Sequence, residues 1–197
     1  YVRTTTITDP LSVSRSVLSN TFQNVINSRT NEIGLTTSYQ YTALQSYLDL
    51  VSTITLPEGN SIEYTYDSRA NITSLIQHAK PGSGLADLTT YAGYSTACSN
   101  LKTCNKPNWT KDAKGNQTDY TYDATHGGVL TVTAPAPTIG AIRPQARSTY
   151  ATAQAYYKNS SGAIVASGAP VYLLSQISTC RTTASCAGTA DEIRTAL

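Results

Sequence analysis

The chain has 197 residues with a hydrophobic fraction of 40%, which permits one substantial domain with a core. Only 13% of the residues are charged, the net charge is +2, and the lysines and arginines are scattered. This pattern excludes the clustered basic face that nucleic-acid binding requires. Every apolar run is too short to cross a bilayer, so the sequence predicts no membrane span.

Residues 1–80 are predicted to form three strand-turn-strand units, near residues 9–30, 34–56 and 59–80. In the third unit tyrosines alternate with polar residues, which places them on one face of a half-buried strand. The polar turn after this strand has a mechanism, because Asp bonds its own following backbone and Asn tolerates positive φ. Residues 15–30 also have some helical spacing, but the repeat frame favours strands.

One motif recurs along the chain: a glycine, four residues, then Tyr-x-Tyr and, in the two stronger copies, Asp. The stronger copies begin at Gly59 and Gly115 and a weaker one at Gly34, at spacings of 25 and 56 residues. This predicts a β-repeat array with an insertion before its last clear unit. A single hairpin is marginal in water, so each unit needs its neighbours. The motif residues are Gly34, Tyr39, Tyr41, Gly59, Tyr64, Tyr66, Asp67, Asn71, Gly115, Tyr120, Tyr122 and Asp123.

The insertion covers residues 81–108 and opens with Pro-Gly-Ser-Gly, which predicts an exposed loop. Tyr91 and Tyr94 lie in it and Trp109 follows it. The simpler interpretation is a surface excursion from the sheet. The functional alternative is a binding loop in which these three aromatic side chains contact glycans.

Residues 109–134 form the next repeat, and 135–197 follow as a proline-rich connector and a strand-rich segment. Strands are predicted at 147–158, 163–166 and 171–177, and residues 191–197 as a strand or a short helical turn. The chain lacks methionine and its first residue reads as the middle of a strand. We therefore expect a longer parent chain that continues past residue 197 into another Tyr-x-Tyr unit.

Four cysteines form two pairs of equal spacing, Cys98 with Cys104 and Cys180 with Cys186. A disulfide within each pair would close a loop of about seven residues and contribute roughly 2–2.5 kcal/mol on the chain-entropy model. Free buried thiols and cross-links between the two loops remain alternatives. Structural zinc prefers cysteines two to four residues apart, so no metal site is predicted, and no cofactor either.

The pattern Gly-Asn-x-x-x-Tyr-x-Tyr-Asp-x-x-x-Asn-Ile-Thr resembles the YD repeat of bacterial Rhs proteins, of insecticidal toxin complex C subunits and of teneurins. The match is specific at 59–75 and 115–133 and looser at 31–56. Residues 8–12 resemble a fourth, decayed start, with Ser12 where the family often has glycine. Ala70 likewise replaces the usual glycine before Asn.

The resemblance implies an all-β fold of hairpins laid side by side in a spiralling sheet, part of a shell that encloses a C-terminal toxin or effector. The segment would be structural, secreted or at the cell surface, and partnered by the rest of its own chain. Open sheet edges would also allow self-association. The alternatives are a self-assembling extracellular fibre and a glycan-binding adhesin.

Catalysis is disfavoured by the residues themselves. His78 and His126 are the only imidazoles, and neither accompanies a nucleophile-elbow motif. No glycine-rich stretch has the form of a phosphate loop. The sequence therefore predicts a non-enzymatic chain, and only a cleft that joins one histidine to a serine and an aspartate would revive an enzyme.

Overall fold

The computed structural model describes residues 2–44, 48–183 and 186–197, and its regular structure there consists of fourteen strands. They lie in chain order in one antiparallel sheet, which confirms the predicted all-β hairpin fold. Residues 15–30 contain two strands and the turn between them, as the repeat frame predicts. None of the described residues belongs to a helix capable of crossing a membrane. The strands are β1 (Val2–Thr8), β2 (Ser14–Asn20), β3 (Val25–Thr30), β4 (Thr36–Leu44), β5 (Leu48–Thr55), β6 (Ser61–Tyr66), β7 (Ile72–His78), β8 (Leu88–Gly93), β9 (Trp109–Lys111), β10 (Gln117–Tyr122), β11 (Val129–Thr133), β12 (Gln145–Lys158), β13 (Ile164–Cys180) and β14 (Glu192–Ala196).

The chain divides into two units. The first comprises residues 1–93 and 111–115 and contains β1 to β8. The second comprises residues 94–110 and 116–197 and contains β10 to β14 with most of β9. In each unit, successive strands pair as antiparallel hairpins.

Two details differ from the sequence-based expectation, and a third decides between alternatives that the sequence left open. The insertion is not wholly a loop, because it contains β8, which pairs with β7. The two strands expected at 163–166 and 171–177 are one long strand, β13, in which a bulge absorbs the Ser-Gly-Ala-Pro stretch. Residues 191–197 hold a strand, β14, rather than a helical turn.

Five turns share one form of five residues, in which the N–H of the fourth residue donates to the C=O of the first. The N–H of the first then donates to the C=O of the fifth. The fourth residue adopts the left-handed conformation, which glycine accepts without a steric penalty. In the four turns that begin with Asp or Asn, the side-chain oxygen also accepts from the third and fifth N–H groups. The five begin at Asp9, Asn31, Leu56, Asp67 and Asn159.

Few residues in the described part of the chain are buried, although the hydrophobic fraction permits a core. Only Cys104, Gly127, Ser178 and Cys186 are buried there. The accessible surface is 13059 Å², whereas a globular protein of 21.0 kDa exposes about 9,000 Å². The apolar residues alternate along strands of a single layer, so they line a face instead of filling an interior.

The tyrosine hairpins and cysteine loops as the candidate functional site

The second tyrosine of each motif donates a hydrogen bond to a backbone carbonyl fifteen residues earlier. Tyr41 bonds the carbonyl of Ile26 at 2.7 Å and Tyr66 that of Val51 at 2.7 Å. In the second unit, Tyr122 bonds the carbonyl of Pro107 at 2.8 Å. Each phenol is thus half-buried with its hydroxyl satisfied, as a tyrosine in a packed face requires. We call this set of bonds the tyrosine ladder.

A β-bulge accompanies every one of these tyrosines. The register shifts between Gln40 and Tyr41, between Thr65 and Tyr66, and between Thr121 and Tyr122. In each case one residue of the partner strand is left without a paired residue, which bends that strand and interrupts the regular hydrogen-bond ladder locally. The bulge therefore occurs where the tyrosine bonds, so the two features belong to one repeating unit.

The first tyrosine of each strong motif stacks on the second. The ring centroids of Tyr64 and Tyr66 are 6.4 Å apart at an interplanar angle of 25°, and those of Tyr120 and Tyr122 are 6.5 Å apart at 18°. Burial, and then the neighbouring tyrosine, raise the pKa of Tyr66 and of Tyr122 above the ordinary phenol value. The phenols of Tyr66 and Tyr122 therefore remain neutral and act as packing groups.

The aspartates close the hairpins. Oδ1 of Asp67 accepts from the N–H groups of Arg69 and Asn71 at 2.8 and 3.0 Å, and Nδ2 of Asn71 donates to Oδ2 at 2.9 Å. Although burial opposes ionisation, these bonds keep the pKa of Asp67 below its usual value. Asp123 accepts from the backbone N–H groups of His126 and Thr125, which lower the pKa of its carboxyl. Each carboxylate therefore stabilises the turn that it begins.

The first cysteine loop braces the longer turn that follows Asp123. Cys98 and Cys104 are disulfide-bonded with their Cα atoms 4.9 Å apart. Between them, Nδ2 of Asn100 donates to the carbonyl of Ala124 at 2.8 Å and Nζ of Lys102 donates to that of Thr125. The insertion thus supplies a covalently closed support for this longer turn, whose own backbone bonds join Asp123 to Gly127 and Gly128.

The second cysteine loop lies beside a partly buried ion pair. Cys180 and Cys186 are disulfide-bonded with Cα atoms 5.5 Å apart. The Arg147 guanidinium lies 3.3 Å from Sγ of Cys186 and 3.6 Å from the carboxylate of Glu192, whose side chain is 5% exposed. Hydrogen bonds from Arg194 and from the Gly188 N–H lower the pKa of Glu192 to about 2. This carboxylate is ionised throughout the physiological range.

A metal site at this loop does not fit the chemistry. Sγ of Cys180, Sγ of Cys186 and a carboxylate oxygen of Asp191 lie within 4.8 Å of one another. Both sulfurs are consumed by the disulfide, and only thiolates ligate zinc well. Asp191 in turn accepts hydrogen bonds from Thr182 and Thr183.

His126 lies in a cleft of about 380 Å³ that also includes Asp123 and Ser148. Nδ1 of His126 accepts from the Gly128 N–H at 3.1 Å, and Nε2 lies 3.4 Å from Oδ1 of Asp123. Both ring nitrogens are therefore engaged, and neither is available to take a proton from the serine. The cleft therefore contains the three residue types of a hydrolytic triad, but the histidine contacts the Gly128 N–H and Asp123 instead of the serine hydroxyl.

The His126 ring packs instead in an aromatic cluster. It lies 4.5 Å from the ring of Tyr150 and 4.4 Å from that of Tyr172. A Cβ on Gly128 would come within 2.5 Å of the Tyr150 ring and 2.7 Å of the imidazole. The close approach of these rings thus explains Gly128, whereas a Cβ on Gly127 would lie 2.7 Å from the carbonyl of Lys102.

His78 is held between two carboxylates. Nδ1 lies 2.8 Å from Oδ2 of Asp87 and Nε2 lies 3.2 Å from Oε2 of Glu63. The hydrogen bond with Asp87, followed by that with Glu63, raises the pKa of His78 above 6.5. The Ala79 N–H also donates to Asp87 at 2.8 Å, so the three residues tie the start of the insertion to the sheet.

The glycan-contact candidates are distributed over both units. Tyr91 lies in β8 of the first unit and is 48% exposed. Tyr94 and Trp109 lie in the second unit and are half-buried. The structure thus describes one exposed ring and, separately, two partly covered ones, and glycan contact stays a prediction.

Sequence reasoning missed one member of the tyrosine ladder. Tyr150 in β12 donates to the carbonyl of Val129 at 3.1 Å, and β12 shifts its register between Thr149 and Tyr150. Val129 lies opposite Tyr122, just as Val51 lies opposite Tyr41. No glycine precedes Tyr150 by seven residues, so the motif search does not find it.

Comparison with known proteins adds one finding. No protein-family model matches the chain, and no curated protein matches it. Among solved structures, a chain in the crystal structure of TcdB2-TccC3-Cdc42 is similar with a TM-score of 0.45 and 13% sequence identity over 93% of this chain. The chain spans only 11% of that protein's length. A likeness of this size carries no argument about function.

Proposed function

We propose that the chain is a non-enzymatic structural segment of a secreted or cell-surface bacterial Rhs/YD-repeat protein, in which it forms part of the wall of a β-shell. The observation that carries this proposal is the repeated hairpin, with its left-handed turn, its bulge and its tyrosine-to-carbonyl bond. These bonds hold a single layer together without a deep core. Such a layer is suited to being a wall.

The exposed apolar face supports the same role. The chain exposes about 4,000 Å² more surface than a globular protein of its mass. A layer of this kind is stable when neighbouring repeats of its own chain cover its faces and edges. In the full protein those neighbours would include further repeats and an enclosed C-terminal toxin or effector.

The cysteines support the proposed location. Two disulfides within short loops are typical of oxidising compartments and rare in a reducing cytosol. Both loops also support other parts of the sheet, so their oxidation is part of the fold. A secreted or surface-exposed protein meets this condition.

The test combines non-reducing intact mass, far-UV circular dichroism and particle size on the 1–197 chain. We expect a mass four hydrogens below that of the reduced chain, a β spectrum and self-association. A stable monomer with four free thiols would contradict both the extracellular location and the wall. Enclosure of a toxin needs the parent protein, in which protease resistance of the C-terminal segment should be lost when Tyr66 and Tyr122 are replaced.

A self-assembling extracellular fibre is the second candidate. It is favoured by the sheet order, in which β1 and β14 each have one partner among the described strands and so present an open edge. Electron microscopy distinguishes the two, because end-to-end stacking would give filaments of constant width. A glycan-binding adhesin would instead require glycan-array signal that Tyr91→Ala or Trp109→Ala removes.

A further inference from the structure

The hairpin of β12 and β13 extends well past its neighbours. β11 pairs only with residues 145–147 of β12, and β14 pairs only with residues 176–180 of β13. Beyond these limits, residues 150–158 and 164–174 pair with each other alone in the described part of the sheet. We call this two-stranded segment the arm.

One face of the arm is apolar and uncovered. Ala151 lies opposite Leu173 and Ala153 lies opposite Val171, so these four side chains share a face. Leu173 is 56% exposed and Val171 is 40% exposed. The other face, by contrast, carries Tyr172 with its stacked His126. A two-stranded ribbon is marginal in water on its own, so an open apolar face on it calls for a covering partner.

The register of this face makes it complementary to itself. On this face, Leu173 and Val171 of β13 each lie directly across from an alanine of β12. A two-fold axis parallel to the strands would place β13 of one copy over β12 of the other at the same height. Leu173 of one copy then sits over Ala151 of its mate, Val171 over Ala153, and the reverse contacts follow by symmetry.

Charge also favours a second copy as the partner. Lys158 is the only charged residue of the arm, and it stands at the tip, away from the four apolar side chains. Two copies therefore meet without burying an unpaired charge, which would cost several kcal/mol per ion. Alternating large and small residues also pack two sheet faces closely.

We infer that the chain forms a two-fold dimer by face-to-face packing of this arm. The interaction is separate from the open edges of the sheet and goes beyond the proposed wall. Strands of nine and eleven residues offer a face of roughly 10 by 30 Å, at about 3.3 Å per residue. Two such faces bury only about 600 Å² in total, less than a standard interface, so we expect a weak dimer with a Kd of about 10–100 µM.

Sedimentation equilibrium of the oxidised chain from 1 to 200 µM tests the dimer. Leu173→Lys should raise the dimer Kd by at least about tenfold, because the substitution removes an apolar contact and adds a charge twice per dimer. Leu85→Lys is the matched control, since Leu85 is 74% exposed and is not a residue of the arm. It should leave the Kd unchanged. Equal effects of both substitutions, or a monomer throughout this range, would overturn the inference.

Cross-linking tests the arrangement independently of affinity. The native cysteines are disulfide-bonded, so each single-cysteine variant has one reactive thiol. A mixture of A151C and L173C chains, one of them tagged, should cross-link through a short bis-maleimide. A mixture of A151C and I164C should not, because residue 164 lies opposite Lys158, about 23 Å along the strand. Reversed yields would rule out this two-fold axis, and association through open edges would leave neither mixture preferred.

Discussion

Ala70 adopts a backbone conformation that costs an alanine free energy. Its φ is +66°, and it occupies the turn position that holds glycine at Gly34 and Gly59. The left-handed conformation costs a residue with a Cβ about 1–2 kcal/mol. A glycine avoids this cost but gains freedom in the unfolded chain worth about 0.4–1 kcal/mol. Ala70→Gly should therefore raise the free energy of unfolding by about 0.5–1 kcal/mol.

Glycine-to-alanine substitutions at the equivalent position of other turns measure the same conformational cost. A Cβ on Gly34 would meet nothing within 4 Å, so Gly34→Ala carries only the conformational cost. A Cβ on Gly59 would lie 3.3 Å from the ring of Pro81, so Gly59→Ala should cost more. Ala113→Gly is the matched control, because Ala113 is not among the described residues with positive φ. It should destabilise the chain by about 0.4–1 kcal/mol.

Thermal unfolding followed by circular dichroism measures the series. For a chain of this size, 1 kcal/mol corresponds to a change in Tm of roughly 2–4 °C. We expect the order Ala70→Gly above wild type, then Gly34→Ala, then Gly59→Ala. An Ala70→Gly chain that melts at or below the wild-type temperature would refute the left-handed turn at this position. Equal losses for Gly34→Ala and Gly59→Ala would refute the contact with Pro81.

Three further predictions concern single side chains. Tyr66→Phe should lower the free energy of unfolding by about 1–3 kcal/mol, because it leaves the half-buried carbonyl of Val51 unpaired. The control, Tyr64→Phe, should lower it by less than about 0.5 kcal/mol, and urea unfolding measures both changes. Gly128→Ala should cost about 1–3 kcal/mol by forcing the Tyr150 ring aside, and an unchanged urea midpoint would contradict that packing. The raised pKa of His78 should stabilise the first unit fully below pH 6.5, with the gain lost as pH rises through the folded pKa. His78→Gln should abolish this pH dependence in melts between pH 5 and pH 9.

The hairpins were predictable because their signal is local. The glycine at the left-handed position and the tyrosines at alternate positions lie within nine residues, from Gly59 to Asp67. The strand and its turn can therefore be predicted from this stretch of sequence alone. The missing core was not predictable, because a hydrophobic fraction does not say whether apolar residues face one another. The support of the Asp123 turn by the first cysteine loop was also hidden, since it joins residues about twenty-four positions apart.

The tyrosine ladder shows how a missed member follows the same rule. In three units the tyrosine and its carbonyl are fifteen residues apart, and five residues join the two strands. For Tyr150 the separation is twenty-one, and eleven residues join β11 to β12. The excess is six in both cases, since 21 − 15 = 6 and 11 − 5 = 6. The ladder geometry is thus conserved while the connection is longer.

Arg143 explains how the longer connection is held. It occupies the place of the motif glycine, two residues before its strand begins. Its guanidinium donates to the carbonyls of Gln117 and Thr133 and pairs with Asp119. Side-chain bonds thus replace the tight turn, and no glycine is needed.

This equivalence can be tested by shortening the connection. Replacing residues 134–144 with the turn sequence of residues 112–116 removes Arg143 and its bonds, so some stability should be lost. Tyr150 should still reach the carbonyl of Val129, because the shortened hairpin has the length of the other three. Tyr150→Phe should therefore cost the same in both backgrounds, within about 0.5 kcal/mol in a double-mutant cycle of urea unfolding. A cost near zero in the shortened chain would mean that the connector, and not the repeat, positions this tyrosine.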